Sequence, residues 1–97
     1  MDQIKSLSDF LNAIADDPRI NNTHISIYVA LLKTWHDHEY ENPISVFGSE
    51  VMRVAKISAS ATYHKSIKQL HEYGYIKYIP SYNHFMRSAI YVLNLTG

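Results

Sequence analysis

The sequence predicts a mainly α-helical domain with a small antiparallel β-hairpin, an α+β fold in the order α-α-β-α-α-β-β. Three observations carry this expectation. Apolar residues recur at helical spacing in successive segments. Gly74 falls directly after the last of these, where a left-handed residue ends a helix. Two β-prone runs then close the chain around a turn-rich stretch. With 97 residues, 46% of them hydrophobic and 12% aromatic, the chain makes a single domain (1–97) with one core.

The first helix is expected from Ser6 or Ser8 to Asp16, carrying Leu7, Phe10, Leu11 and Ile14 on one side, and Pro18 stops it. Asn22 or Thr23 then caps a second helix from about His24 to Tyr40. Its stripe of Ile25, Tyr28, Val29, Leu32 and Trp35 follows i, i+3, i+4 spacing and makes it the backbone of the core. Asn42-Pro43 breaks this helix, and Ile44 to Phe47 reads as a short strand. Ser49 is a good N-cap for a short third helix, Glu50 to Ala55, in which Glu50 complements the dipole. Lys56 to Ser60 forms a turn, and a fourth helix runs from about Ala61 to Tyr73 with Tyr63, Ile67 and Leu70 inward. The strands are Tyr75 to Ile79 and Ala89 to Leu93, joined by an extended tip from Pro80 to Ser88.

Composition removes several functions. With no cysteine, a disulfide scaffold, a thiolate metal cage and a cysteine nucleophile are excluded. Glycine occurs only at 48, 74 and 97, too sparsely for a phosphate-cradling loop. No nucleophile elbow or paired catalytic carboxylates are present, so no catalytic residue, cofactor or enzyme activity is expected. His36 and His38 lie ~200° apart on a helix and cannot grip one ion, and His64 and His71 are too far apart, so no metal is expected. No apolar run is long enough to span a membrane, and the N-terminus lacks a basic leader followed by an apolar region. A cytoplasmic protein without a membrane partner is the expectation.

Net charge is zero, yet the halves differ. Residues 1–52 hold three basic and eight acidic residues, a net of −5, and residues 53–97 hold six basic and one acidic, a net of +5. Either an anionic partner docks on the second half, or the two halves attract each other.

The stretch from Val51 to Ile76, closing in Leu70-His-Glu-Tyr-Gly74-Tyr-Ile76, resembles the winged helix-turn-helix family of small bacterial DNA-binding regulators, including compact proteins of mobile elements. The resemblance covers about residues 23–95, with the helix-turn-helix at about 49–74 and the wing hairpin at about 75–95. It implies a sequence-specific double-stranded DNA-binding protein, a transcriptional or mobile-element regulator, with the fourth helix in the major groove. Rotation by ~100° per residue then turns Ala61, Lys65, Lys68 and Glu72 outward, with Thr62 and Gln69 on one flank and His64 on the other. Lys65 and Lys68 can contact phosphate or guanine, or lie on a merely solvated face. Thr62 and Gln69 can bond to bases. Ser58 and Ser60 can meet a phosphate, cap the helix, or do both. Arg53 and Lys56 are candidate phosphate contacts. In the wing, Asn83, His84 and Arg87 could reach DNA, while the tip's lack of lysines leaves folding back or contact with a second subunit equally open. Eight tyrosines exceed what one small core hides, which suggests either a homodimer through the first helix, the C-terminal strand or exposed tyrosines, or a monomer whose tyrosines snorkel. The competing function is a winged-helix protein-interaction module that does not bind DNA.

Overall fold

The computed structural model describes residues 3–81 and 86–95. Along them run α1 (Gln3–Ile14), α2 (Asn22–Asp37), β1 (Ile44–Val46), α3 (Gly48–Ala55), α4 (Ser60–Glu72), β2 (Ile76–Ile79) and β3 (Ser88–Val92). The order matches the expectation. The sheet is larger than a hairpin, because β1 joins it in the antiparallel order β1-β3-β2. Central β3 pairs Ile90 with both Ile44 and Tyr78, and all three are buried. The Asn42 side chain extends this edge by bonding both the N–H and the C=O of Val92, each at 3.0 Å. The described part is thus an α+β domain of four helices and a three-stranded sheet.

α2 is the post around which the rest packs, touching α1, α3, α4 and β3. It buries Ile27, Tyr28, Ala30, Leu31, Leu32 and Trp35, whereas Val29 is 43% exposed and Ile25 only half-buried. The apolar face is therefore rotated and widened relative to the stripe read from spacing. A helix enclosed on several sides is apolar around much of its circumference, and spacing alone cannot then choose the face. Its N-cap is Asn21 rather than Asn22 or Thr23: Asn21 Oδ1 accepts from the His24 N–H at 3.2 Å, and His24 Nδ1 accepts from the Asn21 N–H at 3.0 Å. Histidine here fills the place that Glu or Gln takes in the usual reciprocal box.

Two turns fix how α3 and α4 meet. Helix α3 starts at Gly48, and its first residue is preceded by Phe47, whose N–H donates to Glu50 Oε1 at 3.1 Å. Ser49 lies inside the helix and does not cap it. A Cβ at Gly48 would stand 2.9 Å from Cε2 of the buried Tyr63 ring, so only glycine lets the helices approach this closely. Lys56 ends α3 in the left-handed region at φ 63°, and the Ile57 N–H reaches Met52 O at 2.9 Å. Gly74 does the same for α4 at φ +88°, with the Tyr75 N–H on Leu70 O at 3.0 Å.

Most of the aromatic surplus is consumed internally. Phe10 of α1 stacks on Tyr28 at 3.8 Å between centroids and meets the edge of Tyr75 at 5.5 Å. Tyr63 and Tyr78 are also buried. Tyr40 is half-buried against Trp35, its ring 5.1 Å away, and Tyr91 lies under Lys77 Nζ at 5.3 Å. Tyr82 lies outside the described residues. The inward side of α1 is thus spent on the core, leaving Leu11 as its exposed large apolar residue among those described.

The α1–α2 loop is clamped to the turn after α4. The Tyr75 hydroxyl donates to Asp17 Oδ2 at 2.6 Å, and Arg19 donates to the same carboxylate through Nε and Nη2, each at 2.8 Å. The Arg19 guanidinium also lies 4.1 Å above the Tyr73 ring. Arg19, then Tyr75, hold the Asp17 carboxyl well below the usual carboxylate range. Burial pushes Tyr28 up to about 12, and burial followed by the Asp17 bond pushes Tyr75 up to about 12.

Stability should therefore fall at both ends of the pH scale. On the acid side the Asp17 contribution is complete above the unfolded carboxylate value of ~3.9 and is lost as pH drops towards the depressed folded value; Asp17→Asn removes that loss. On the alkaline side the tyrosine contribution is complete below ~10 and is lost as pH rises to about 12. Urea midpoints measured across pH read both limbs. Gly74→Ala meets nothing within 4 Å, so its cost is the backbone penalty alone: about 1 kcal/mol, or a Tm lower by about 4–8 °C in calorimetry.

Candidate nucleic-acid interface

Helix α4 turns Tyr63, Ser66, Ile67 and Leu70 into the core. The same rotation leaves Ala61, Thr62, Lys65, Lys68 and Glu72 exposed. Arg53, on the outward side of α3, and Lys56, at its left-handed end, are exposed as well. Arg53, Lys56, Lys65 and Lys68 make no ion pair among the described residues. The other described cations behave differently. Arg19 is held by Asp17 at 2.8 Å, Lys33 by Asp37 at 2.5 Å, and Arg87 by Glu50 at 2.8 Å, while Lys77 sits over Tyr91. Of the cations without an ion pair among the described side chains, Arg53, Lys56, Lys65 and Lys68 thus fall on α3, α4 and the turn joining them, and Lys77 lies apart on β2. Glu72, one turn beyond Lys68, bounds this set at the C-terminal end of α4.

At the N-terminal end of α4, the cap position is Ala59, which supplies no side-chain bond. Neither Ser58 nor Ser60 caps the helix. Ser58 is exposed, and Ser60 turns to His64, whose Nδ1 lies 2.9 Å from Ser60 O and 3.2 Å from Ser60 Oγ. A carbonyl oxygen can only accept, so His64 Nδ1 carries the proton and donates. Beside this end opens a cleft of about 440 Å³ lined by Phe47, Met52, Ser60, His64, Tyr78 and Met86 among others.

One expected flank residue, Gln69, and one expected wing residue, Arg87, are tied to the protein itself. Gln69 is half-buried, with Oε1 2.8 Å from His24 Nε2. Arg87 folds back on the body: its Nη1 bonds Glu50 Oε1 at 2.8 Å and Ser45 O at 3.4 Å, and its guanidinium lies 4.5 Å from the Phe47 ring centroid. Asn83 and His84 lie outside the described residues.

No family model, curated protein or solved structure matches this chain. Among the described residues, no cluster of three or more His, Cys, Asp or Glu could hold a metal ion, and no helix is long and apolar enough to cross a membrane. His24, which the sequence marks only as a packed or solvated residue at the start of the second helix, is 1% exposed and ties α2 to α4 through Gln69. The local signal was Asn21-x-x-His24, the spacing of a reciprocal cap. Its link to Gln69 spans 45 residues and left no local trace.

The contrast between free and tethered polar residues can be measured. Lys65→Ala and Lys68→Ala remove exposed, unpaired groups, so each should change stability by no more than about 0.5 kcal/mol, a few °C in Tm. Gln69→Ala leaves the buried His24 Nε2 without its partner and should cost about 1–3 kcal/mol. Thermal unfolding monitored by circular dichroism distinguishes the two classes.

Proposed function

We propose that the protein is a sequence-specific double-stranded DNA-binding protein of the winged helix-turn-helix type, a transcriptional or mobile-element regulator that lays α4 in the major groove. The observation that carries this reading is the set of unpaired cations Arg53, Lys56, Lys65 and Lys68 on and beside α4, when the other described cations are engaged elsewhere. An exposed cation without a protein partner exchanges its water and counterions for phosphate at little cost. A helix with a small residue, Ala61, and polar flanks Thr62 and Gln69 suits close approach to base edges.

Supporting this reading, the order of elements puts a left-handed turn between α3 and α4 and a hairpin directly after α4, as in that family. The wing's share is small on this reading, because Arg87 is neutralised by Glu50. Contact then falls mainly on α3, α4 and their turn. The same neutralised arginine, with Ile79 and Leu93 exposed on the strand side, supports the second reading, a protein-interaction module with no DNA affinity.

Electrophoretic retardation on pooled random duplexes tests the proposal. At ~50 mM salt, micromolar protein should retard duplex, with log K falling against log salt at a slope of about −3 to −4 for four phosphate contacts. Lys65→Glu with Lys68→Glu should abolish retardation while leaving the folded fraction unchanged. Absence of any retardation by the unaltered protein sinks the DNA reading and leaves the interaction module.

A further inference from the structure

The N-terminal cap of α2 determines what Gln69 can offer a ligand. The backbone N–H of Asn21 can only donate, and it meets His24 Nδ1 at 3.0 Å, so Nδ1 is the accepting nitrogen of a neutral ring. The ring proton then sits on Nε2, and the atom 2.8 Å from it must be an acceptor, the amide oxygen of Gln69. His24 is buried, with its ring edge-on to Tyr73 at 5.9 Å between centroids, which leaves it little freedom to turn. The amide oxygen is consequently occupied on the inner side of α4. The amide nitrogen of Gln69 has no hydrogen bond among the described residues. Among the described residues the one buried side-chain nitrogen or oxygen without a partner is Trp35 Nε1, so the Gln69 nitrogen, which has none, remains open to solvent. Seven residues separate Gln69 from Thr62, which puts the two on one side of α4 within ~20°.

We infer that Gln69 reads DNA as a donor only, selecting guanine, and that His24 is the positioning residue that imposes this choice. The inference rests on the proposed placement of α4 in the major groove. A free glutamine prefers adenine, because its oxygen accepts from N6 while its nitrogen donates to N7. With the oxygen tied to His24, that paired contact is lost. Two N–H donors remain. Guanine offers two acceptors, O6 and N7; thymine offers one, O4, beside its methyl group; adenine offers one acceptor beside a repelling N6 donor; cytosine offers only its N4 donor. Guanine is therefore the favoured base, with cytosine the most strongly rejected on the same strand.

Selection of duplexes from a random pool, followed by sequencing, tests this with the full chain. The unaltered protein should enrich guanine at one position that responds to Gln69. Gln69→Glu keeps an oxygen for His24 and presents a second, accepting oxygen outward, so preference at that position should switch to cytosine by about tenfold or more, with other positions unchanged. His24→Leu frees the amide oxygen and should admit adenine there. Enrichment of adenine or thymine in place of guanine by the unaltered protein, or a Gln69→Glu profile identical to its own, overturns the inference while leaving DNA binding intact. Failure of every duplex to bind instead removes the underlying DNA reading and the inference with it. Should His24→Leu not fold, long-range 15N–1H spectra of the unaltered protein read the imidazole directly: a proton on Nε2 agrees with the inference, and a proton on Nδ1 overturns it.

Discussion

Packing of Tyr63, Ile67 and Leu70 against the interior sets the rotation of α4 about its own axis, and the outward residues follow from that one constraint. These three side chains are at most 1% exposed, so turning the helix by even one residue's worth of angle (~100°) would bring a lysine into the core. Gly48 strengthens the constraint from the side, since its missing Cβ lets the start of α3 lie on the Tyr63 ring. α2 supplies the surface on which both helices rest. The position of Lys65 and Lys68 is thus a consequence of burial on the opposite side rather than of any contact they make themselves.

The opposed charges of the two halves resolve into two separate facts. One part of the asymmetry is spent within the fold: Arg87 from the basic half pairs with Glu50 from the acidic half across 37 residues of sequence. Arg19 and Lys33 are likewise paired within the acidic half. What stays without an ion pair in the basic half is Arg53, Lys56, Lys65 and Lys68, together with Lys77, which lies over the Tyr91 ring. Exposed ion pairs contribute little to stability. Their effect here is to remove particular cations from the surface available to a partner, which concentrates what is left on α3, α4 and their turn.

How much of this was legible in the sequence depended on distance along the chain. Helix order, the stop at Gly74 and the outward set on α4 came from residues within a few turns of one another, and local spacing carries that information. The face of α2 did not, because His24 to Trp35 is apolar at too many positions for one stripe to stand out. Caps shifted by one or two residues where a neighbour took the capping role: Asn21 with His24 in place of Asn22 or Thr23, and Glu50 bonding Phe47 in place of Ser49. The pairing of β1 with β3 and the bonds Gln69–His24 and Arg87–Glu50 join residues 37 to 46 apart. No pattern in a single sequence specifies such contacts; they arise once the core has brought the elements together.

The two ends of α4 end up physically unlike, and this polarity bears on which end a ligand can approach. Towards its C-terminus the helix is tied to the beginning of α2 through Gln69 and His24, and the turn beyond it is clamped by Tyr75, Asp17 and Arg19. Glu72 adds a negative charge there. At the N-terminus Ala59 gives no side-chain cap, so the amides of the first turn rely on solvent or a ligand, with Ser58 exposed and Lys56 close by in sequence. Helix dipole, free amides and cations all favour an anion at this end, and the carboxylate disfavours one at the other. A polyanion meeting this helix would therefore engage it from its N-terminal end, which places Ala61, Thr62 and Lys65 in the first two turns nearest to it, Lys68 at the start of the third, and leaves Gln69 as the last side chain within reach.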